Sequence, residues 1–188
     1  MIRVMYSYFN LDYMKSDEII ENYKIEIKIP SNCNNRKISS FCSLVEKGEE
    51  VDINTLENGV KRAKFLGFYY IDDKLVGVAA LKNANPDYQN SVFERAGKPE
   101  LAKNFRYEIG YAFTDEDYRG MCICRNLIRY LITREKSENI FSTVRSKNIA
   151  MRSILKRLEF KEIGNRFLGR LKEKGEYYVQ LFVKITQS

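Results

Sequence analysis

Glu108 is the one carboxylate in the run 105–114, whose positions 107–113 are otherwise large or small and uncharged, and Arg119-Gly120 follows it eleven positions later. A carboxylate in such a run is partly desolvated and can take a proton from an ammonium group. Beyond Arg119-Gly120, Ile123, Leu127, Ile128, Leu131 and Ile132 fall on one face of a helix. A strand that turns tightly into a helix aims unpaired backbone N–H groups and the positive end of a helix dipole at one spot. Such a spot holds phosphate or pyrophosphate. Arg119 and Arg125 bring further positive charge to it. Cys122 and Cys124 sit at the same helix start, where a thiol can become a nucleophile. The competing reading makes them small buried hydrophobes.

The rest of the composition narrows the chemistry. The chain has 188 residues, 32 Lys+Arg, 25 Asp+Glu and a net charge of +7, with no His and no Trp. Without histidine there is no Ser-His-Asp or Cys-His nucleophile system and no His-containing zinc site. Four cysteines do not make a disulfide framework at this length, and Cys122-Ile-Cys124 lacks a second pair, so no metal is expected. Reduced thiols point to the cytoplasm. Residues 1–14 carry no signal-peptide pattern. The longest apolar stretch, 75–81, is far too short to span a membrane. Residues 118–157 hold ten basic side chains against two acidic ones, so the positive charge gathers around the anion-binding segment.

The elements that must position these groups follow from periodicity. Residues 23–29 alternate with period two and end at Pro30, a strand. Ile38, Phe41, Cys42 and Val45 mark a helix capped by Asn34 or Asn35, and a second helix fits 54–64 with Asp52 or Asn54 at its start. Strands at 65–71 and 75–81 are joined by a two-residue turn, Asp72-Asp73. Residues 82–104 read as a long connection with a helical turn near 92–96, and a connection of that length tends to carry function. After the strand 105–114 and its helix come a strand at 140–144 and a helix with Met151, Ile154, Leu155 and Leu158. Strands at 160–167 and 177–185 follow, paired through Lys172-Glu-Lys-Gly175. The order is mixed α/β, an α+β arrangement in one domain.

The block from Glu108 to Leu127 resembles the acyl-CoA-binding motif of the GNAT superfamily of N-acetyltransferases, [Arg/Gln]-x-x-Gly-x-[Gly/Ala]. Arg119 takes the first position, and Cys122 and Cys124 stand where the family has glycine and Gly or Ala. Residues 144–160 resemble its second motif through Asn148, Met151, Ile154 and Phe160, and 68–81 looks like its strand pair with Leu75-Val-Gly. The resemblance covers about residues 65–185, leaving 1–64 as a variable N-terminal part.

This resemblance implies a mostly antiparallel sheet splayed near 105–114, with flanking helices and acetyl-CoA in the split as co-substrate, without a metal. It implies pantetheine against the backbone of Ala112, Phe113 and Thr114. Pyrophosphate would lie on Arg119, Gly120, Met121, Cys122, Ile123, Cys124 and Arg125, and Asn148 would meet the cofactor arm or simply cap its helix. Glu108 would be the general base, or else a glutamate paired with a buried Arg or one at a sheet margin facing water. The tyrosine that members often carry as general acid is replaced by Leu155, leaving Tyr111, Tyr118, Tyr130 or water. The 82–104 segment, with Lys82 and Tyr88, would shape the site of a small-molecule or protein amine acceptor. A nucleic-acid-modifying enzyme and a catalytically silent acyl-CoA-binding module are the alternatives.

Overall fold

A computed structural model describes residues 22–135, 138–169 and 175–186. The leading segment 1–14 and residues 172–174 of the expected last turn lie outside the described residues. Seven strands form one sheet in the order β1-β2-β3-β4-β5-β7-β6: β1 Tyr23–Lys28, β2 Ala63–Ile71, β3 Lys74–Asn83, β4 Tyr107–Thr114, β5 Ile140–Arg145, β6 Lys161–Leu168 and β7 Tyr178–Lys184. Every pairing is antiparallel except β4 with β5. The mixed, mostly antiparallel architecture agrees with the sequence reading.

Helices cover both faces because each carries one apolar stripe. On one face α4, Ile123–Thr133, and α5, Ile149–Arg157, bury Ile123, Leu127, Ile128, Leu131 and Leu155 against Tyr69, Ala79, Leu81, Tyr107 and Ile109. On the other face α1, Asn35–Glu46, and α2, Ile53–Lys61, bury Ile38, Phe41, Leu56 and Val60 against Leu66, Phe68, Val78 and Ala80. Asn34 and Asp52 cap these two helices through their side chains. The strand after α2 begins at Ala63, two residues earlier than expected. Asp72 and Asp73 both take positive φ (47° and 60°), the primed-turn geometry that a two-residue hairpin needs, without the favoured glycine.

Residues 82–104 are more ordered than the sequence reading expects. They contain a ten-residue helix α3, Pro86–Arg95, followed by a 3-10 helix at Pro99–Asn104. Asn85 caps α3 by accepting from the Tyr88 N–H at 3.0 Å, and Pro86 starts it. Val92 and Phe93 join Phe105, Phe141, Leu181 and Val183 in a third apolar cluster over β5 and β7. A polar seam therefore runs along one sheet face, between α1/α2 and α3.

The end of α5 also differs. Glu159, where the related motif has glycine, is expected to bring a different cap. Instead Glu159 takes φ 66°, Phe160 N–H donates to Leu155 C=O, and Glu159 N–H donates to Lys156 C=O. That is a Schellman ending with a glutamate in the glycine conformation. Lys184 Nζ holds it by pairing with Glu159 at 2.8 Å and donating to Leu158 C=O at 3.0 Å.

Candidate functional site

Strand β4 breaks its own alternation, and the site follows from that break. Tyr107 and Ile109 face α4, so strict alternation would send Tyr111 and Phe113 there as well. Between β3 and β4 the register shifts, with Val78 opposite Phe113 and Ala80 opposite Gly110. The extra residue is a bulge. Tyr111 takes φ 52° there, uncommon for an aromatic residue, and Tyr111 and Phe113 turn to the α1/α2 face. The Tyr111 ring reaches α2 over Gly59, where even a Cβ would stand 2.1 Å from the tyrosine hydroxyl.

On its other side β4 parts from β5. The two strands pair only at Tyr107–Ile140 and Glu108–Phe141. Ser142 Oγ donates to Ile109 C=O at 2.9 Å, which closes the pairing. From Gly110 to Thr114 the edge of β4 toward β5 has no strand partner. Thr114 Oγ1 is buried without a hydrogen bond among the described residues, and so are Arg145 Nη2 at the end of β5 and Ser146 Oγ just after it.

Glu108 lies at the root of the split, in the polar seam, and is only 4% exposed. Lys82, its register partner on β3, approaches with Nζ 2.6 Å from Glu108 Oε2. The hydroxyl of Tyr88 from α3 donates to Glu108 Oε1 at 3.4 Å and shares a 3.0 Å hydrogen bond with Thr143 Oγ1 of β5. Thr143 Oγ1 is itself 3.4 Å from the same carboxylate oxygen. Burial alone would lower the Lys82 pKa, but the Glu108 carboxylate outweighs it and the ammonium is held above the ordinary lysine value. Burial, and then the charge of Glu108, push the Tyr88 hydroxyl up. Glu108 is thus neither at a water-facing sheet margin nor paired with the arginine expected: its cation is a lysine, Lys82. The expected acceptor-site residues Lys82 and Tyr88 both reach the same carboxylate.

The segment expected to bind an anion leads into α4. Cys122 is the N-cap residue of α4 and offers no side-chain cap, so the first-turn N–H groups keep no intrahelical partner. Gly120 takes φ 89° in open space. Cys122 takes φ 57°, the left-handed conformation glycine would adopt freely, at a cost of about 1–2 kcal/mol for a side-chain-bearing residue. Arg119 pairs with Glu116 at 3.0 Å on the surface, while Arg125 Nε is buried and unpartnered. Met121 and Cys124 pack against the α4-side core. Cys124 lies 4.0 Å from Met151 Sδ, and burial pushes its thiol up to about 12, which favours the hydrophobic reading over the nucleophilic one. All four cysteines are free.

Asn148 caps α5, its Oδ1 accepting from the Met151 N–H at 2.9 Å, so the capping reading is the one the structure displays. Among the described residues its amide NH2 makes no hydrogen bond. Leu155 is fully buried. Of the tyrosines weighed as proton donors, Tyr130 is exposed on α4 and Tyr118 lies under the Lys74 ammonium at 4.9 Å. Only Tyr111 borders the Lys82–Glu108 pair, with Lys82 Nζ 4.8 Å from its ring centre. Sequence reasoning missed Thr143 and Arg145. Their parity with Phe141 on β5 puts them on the seam face, which is the signal that could have found them. Arg145 Nε reaches Glu50 between α1 and α2 at 2.5 Å, and its guanidinium stacks on Tyr177 at 4.3 Å, walling the far end of the seam.

These residues fit acetyl-CoA. The free edge of β4 suits an amide-bearing arm, the uncapped α4 N-terminus suits a pyrophosphate, and Thr114 Oγ1 and Arg125 Nε are buried polar atoms awaiting a partner. Among the described residues, no group of three or more His, Cys, Asp or Glu could hold a metal ion, and no helix is long and apolar enough to cross a membrane.

Comparison with known proteins bears on the same region. The profile of the Acetyltransferase (GNAT) family matches residues 35–160. The solved structure of Arabidopsis thaliana NAA60 in complex with acetyl-CoA aligns with a TM-score of 0.63 at 14% identity, covering 86% of this chain and 99% of that one. The ribosomal-protein-S18-alanine N-acetyltransferase from Escherichia coli aligns at 0.61 and 12% identity, covering 88% and 96%. NAA60 with a bisubstrate analogue aligns at 0.60 and 16% identity, covering 86% and 97%. Curated protein sequences return no significant match.

Proposed function

The chain belongs to the GNAT acetyltransferase family, and from that premise we propose that it is a single-domain, cytoplasmic N-acetyltransferase moving an acetyl group from acetyl-CoA to a primary amine. The observation that carries this reading is the split of β4 from β5 just past buried Glu108, with the uncapped α4 N-terminus at the end of the same β4–α4 turn.

When bound, acetyl-CoA supplies an activated acyl thioester. The β4 backbone at Ala112, Phe113 and Thr114 holds its amide-bearing arm. Arg119, Arg125 and the N–H groups of Gly120, Met121, Cys122, Ile123 and Cys124 hold its phosphates, and the spare amide of Asn148 adds a donor. Backbone N–H groups at the bulge polarise the acyl carbonyl. Glu108 would accept a proton from the acceptor's ammonium, and the freed amine would attack the thioester carbonyl directly in a ternary complex; the carbon–sulfur bond would break, with water or Tyr111 protonating the departing thiolate and taking up the second proton of the amine. The seam between α1/α2 and α3, floored by Lys82 and Tyr88, receives a small-molecule or protein amine.

Two observations favour a second reading. Glu108 already has a cation at 2.6 Å and Leu155 replaces the usual hydroxyl, which suits a silent acyl-CoA-binding module. A screen of amines, peptides and nucleic acid for release of the CoA thiol separates the two. Turnover with an amine that falls sharply in Glu108→Gln, while acetyl-CoA binding stays intact, supports the enzyme. Acetyl-CoA binding without thiol release from any acceptor supports the silent module.

A further inference from the structure

The chemistry proposed for an external amine needs an ammonium hydrogen-bonded to Glu108 and lying beside the β4 bulge. The molecule already carries one. Lys82 stands directly across from Glu108 in the β3–β4 register, and its Nζ is 2.6 Å from Glu108 Oε2. Its side chain runs over Gly110, the residue just before the bulge. A Cβ on Gly110 would stand 3.0 Å from Lys82 Cδ and 3.6 Å from Nζ, so the path of the lysine depends on that glycine. The ammonium lies 4.8 Å from the Tyr111 ring centre and 5.7 Å from that of Tyr88. Two aromatic faces and a carboxylate form the kind of pocket that recognises a cation, and here an internal cation fills it. The lysine side chain keeps 22% of its exposure, and it reaches the bulge where β4 has already left β5.

We propose that Lys82 is acetylated by its own site, so that the first amine this enzyme modifies is one of its own side chains. The inference rests on the reading of the split as an acetyl-CoA site. In the step, Glu108 takes a proton from the Lys82 ammonium. The freed Nζ lone pair bonds to the carbonyl carbon of acetyl-CoA, and the carbon–sulfur bond breaks. Of the two protons leaving the nitrogen, one ends on the CoA thiol and the other passes through Glu108 to solvent. The products are a neutral acetyl-lysine, free CoA and one proton. Glu108 then keeps only Tyr88 and Thr143 as partners, and its carboxylate is released from the ammonium to serve an external amine.

The test uses the full chain and isotope-labelled acetyl-CoA, with peptide mapping of the label over time at two protein concentrations. Lys103 and Lys161, both exposed, report the uncatalysed background. Labelling of Lys82 is expected to outpace both by about tenfold or more, because a held amine gains effective concentration, and its rate constant should not change with protein concentration. Glu108→Gln should slow the Lys82 label while retaining the melting-temperature rise with unacylated CoA. Labelling of Lys82 no faster than background, or a rate that scales with protein concentration, overturns self-acetylation. If that failure comes with a CoA-induced melting shift, the cofactor reading stands and only this inference falls. If CoA gives no shift either, both fall together.

Discussion

Cutting one side of the Lys82–Glu108 pair should cost far more than removing both sides. At 2.6 Å and an effective dielectric near 20, the attraction is about 6 kcal/mol before desolvation. Desolvation takes back several kcal/mol per ion, so the intact pair is worth little net, whereas an orphaned buried charge costs about 3–5 kcal/mol. Lys82→Met leaves the Glu108 side chain, 5% exposed, with only two 3.4 Å contacts to hydroxyls. Urea unfolding at pH 7 should show a loss of about 3–5 kcal/mol for Lys82→Met, and most of that loss should be recovered in Lys82→Met/Glu108→Gln. The pH dependence has a definite sign. The Lys82 pKa is raised in the folded state, so its contribution is complete below the unfolded lysine value near 10.5 and disappears as the pH rises through the higher folded value. A Lys82→Met loss below about 1 kcal/mol, or a double variant no more stable than the single one, would refute the reasoning.

Three further predictions concern other parts of the molecule. Glu159→Gly and Cys122→Gly each relieve a left-handed residue (φ 66° and 57°) and should each stabilise the chain by about 1 kcal/mol in urea unfolding; a loss of stability in either would show that the side chain outweighs the strain. Burial would raise the Glu26 pKa, but hydrogen bonds from Lys24 and Lys37 outweigh it and bring it down to about 2. Stability from Glu26 is therefore present above about pH 4.5 and lost as the pH falls toward 2, so Glu26→Gln should flatten the acid limb of the stability curve, and an unchanged limb would contradict this. Cys124, with its thiol near 12, should resist iodoacetamide at pH 8 in the native state and react on unfolding, as peptide mapping would show; fast native labelling would make it a reactive thiol after all.

Much of the fold is readable from local pattern, because each strand and helix that packs on the sheet shows its period. The helix stripe from Ile123 to Leu131 and the one from Met151 to Leu158 are cases where spacing alone places the element. Helix α3 was hidden because it buries little: Val92 and Phe93 are its only fully apolar anchors, and the rest of its face is polar. Its start signal, Asn85 followed by Pro86, was nevertheless present. The bulge at Tyr111 left no trace in the sequence, since an aromatic residue gives no hint that it will take φ 52°. It is enforced by tertiary packing, including the space that Gly59 leaves for the ring.

The candidate site divides in the same way. The turn into α4 is local, and the motif around Arg119 announces it; the free β4 edge depends on where β4 parts from β5 and was legible only through the family resemblance. The pairing of Lys82 with Glu108 depends on strand register across an insertion of more than twenty residues, so spacing in the sequence could nominate both residues without joining them. Thr143 and Arg145 share the parity of Phe141 on β5, but what that face meets is set by the parallel pairing of β5 with β4, which lies outside the local pattern.

The central claim is that the split between β4 and β5 holds acetyl-CoA, and amide hydrogen exchange with and without saturating CoA tests it residue by residue. The account predicts that CoA protects the backbone amides of the free β4 edge, 110–114, and of the α4 entry, 120–125, while exchange on the distant edge strand β1 stays unchanged. No protection at either segment, or protection confined to another face of the sheet, would contradict it.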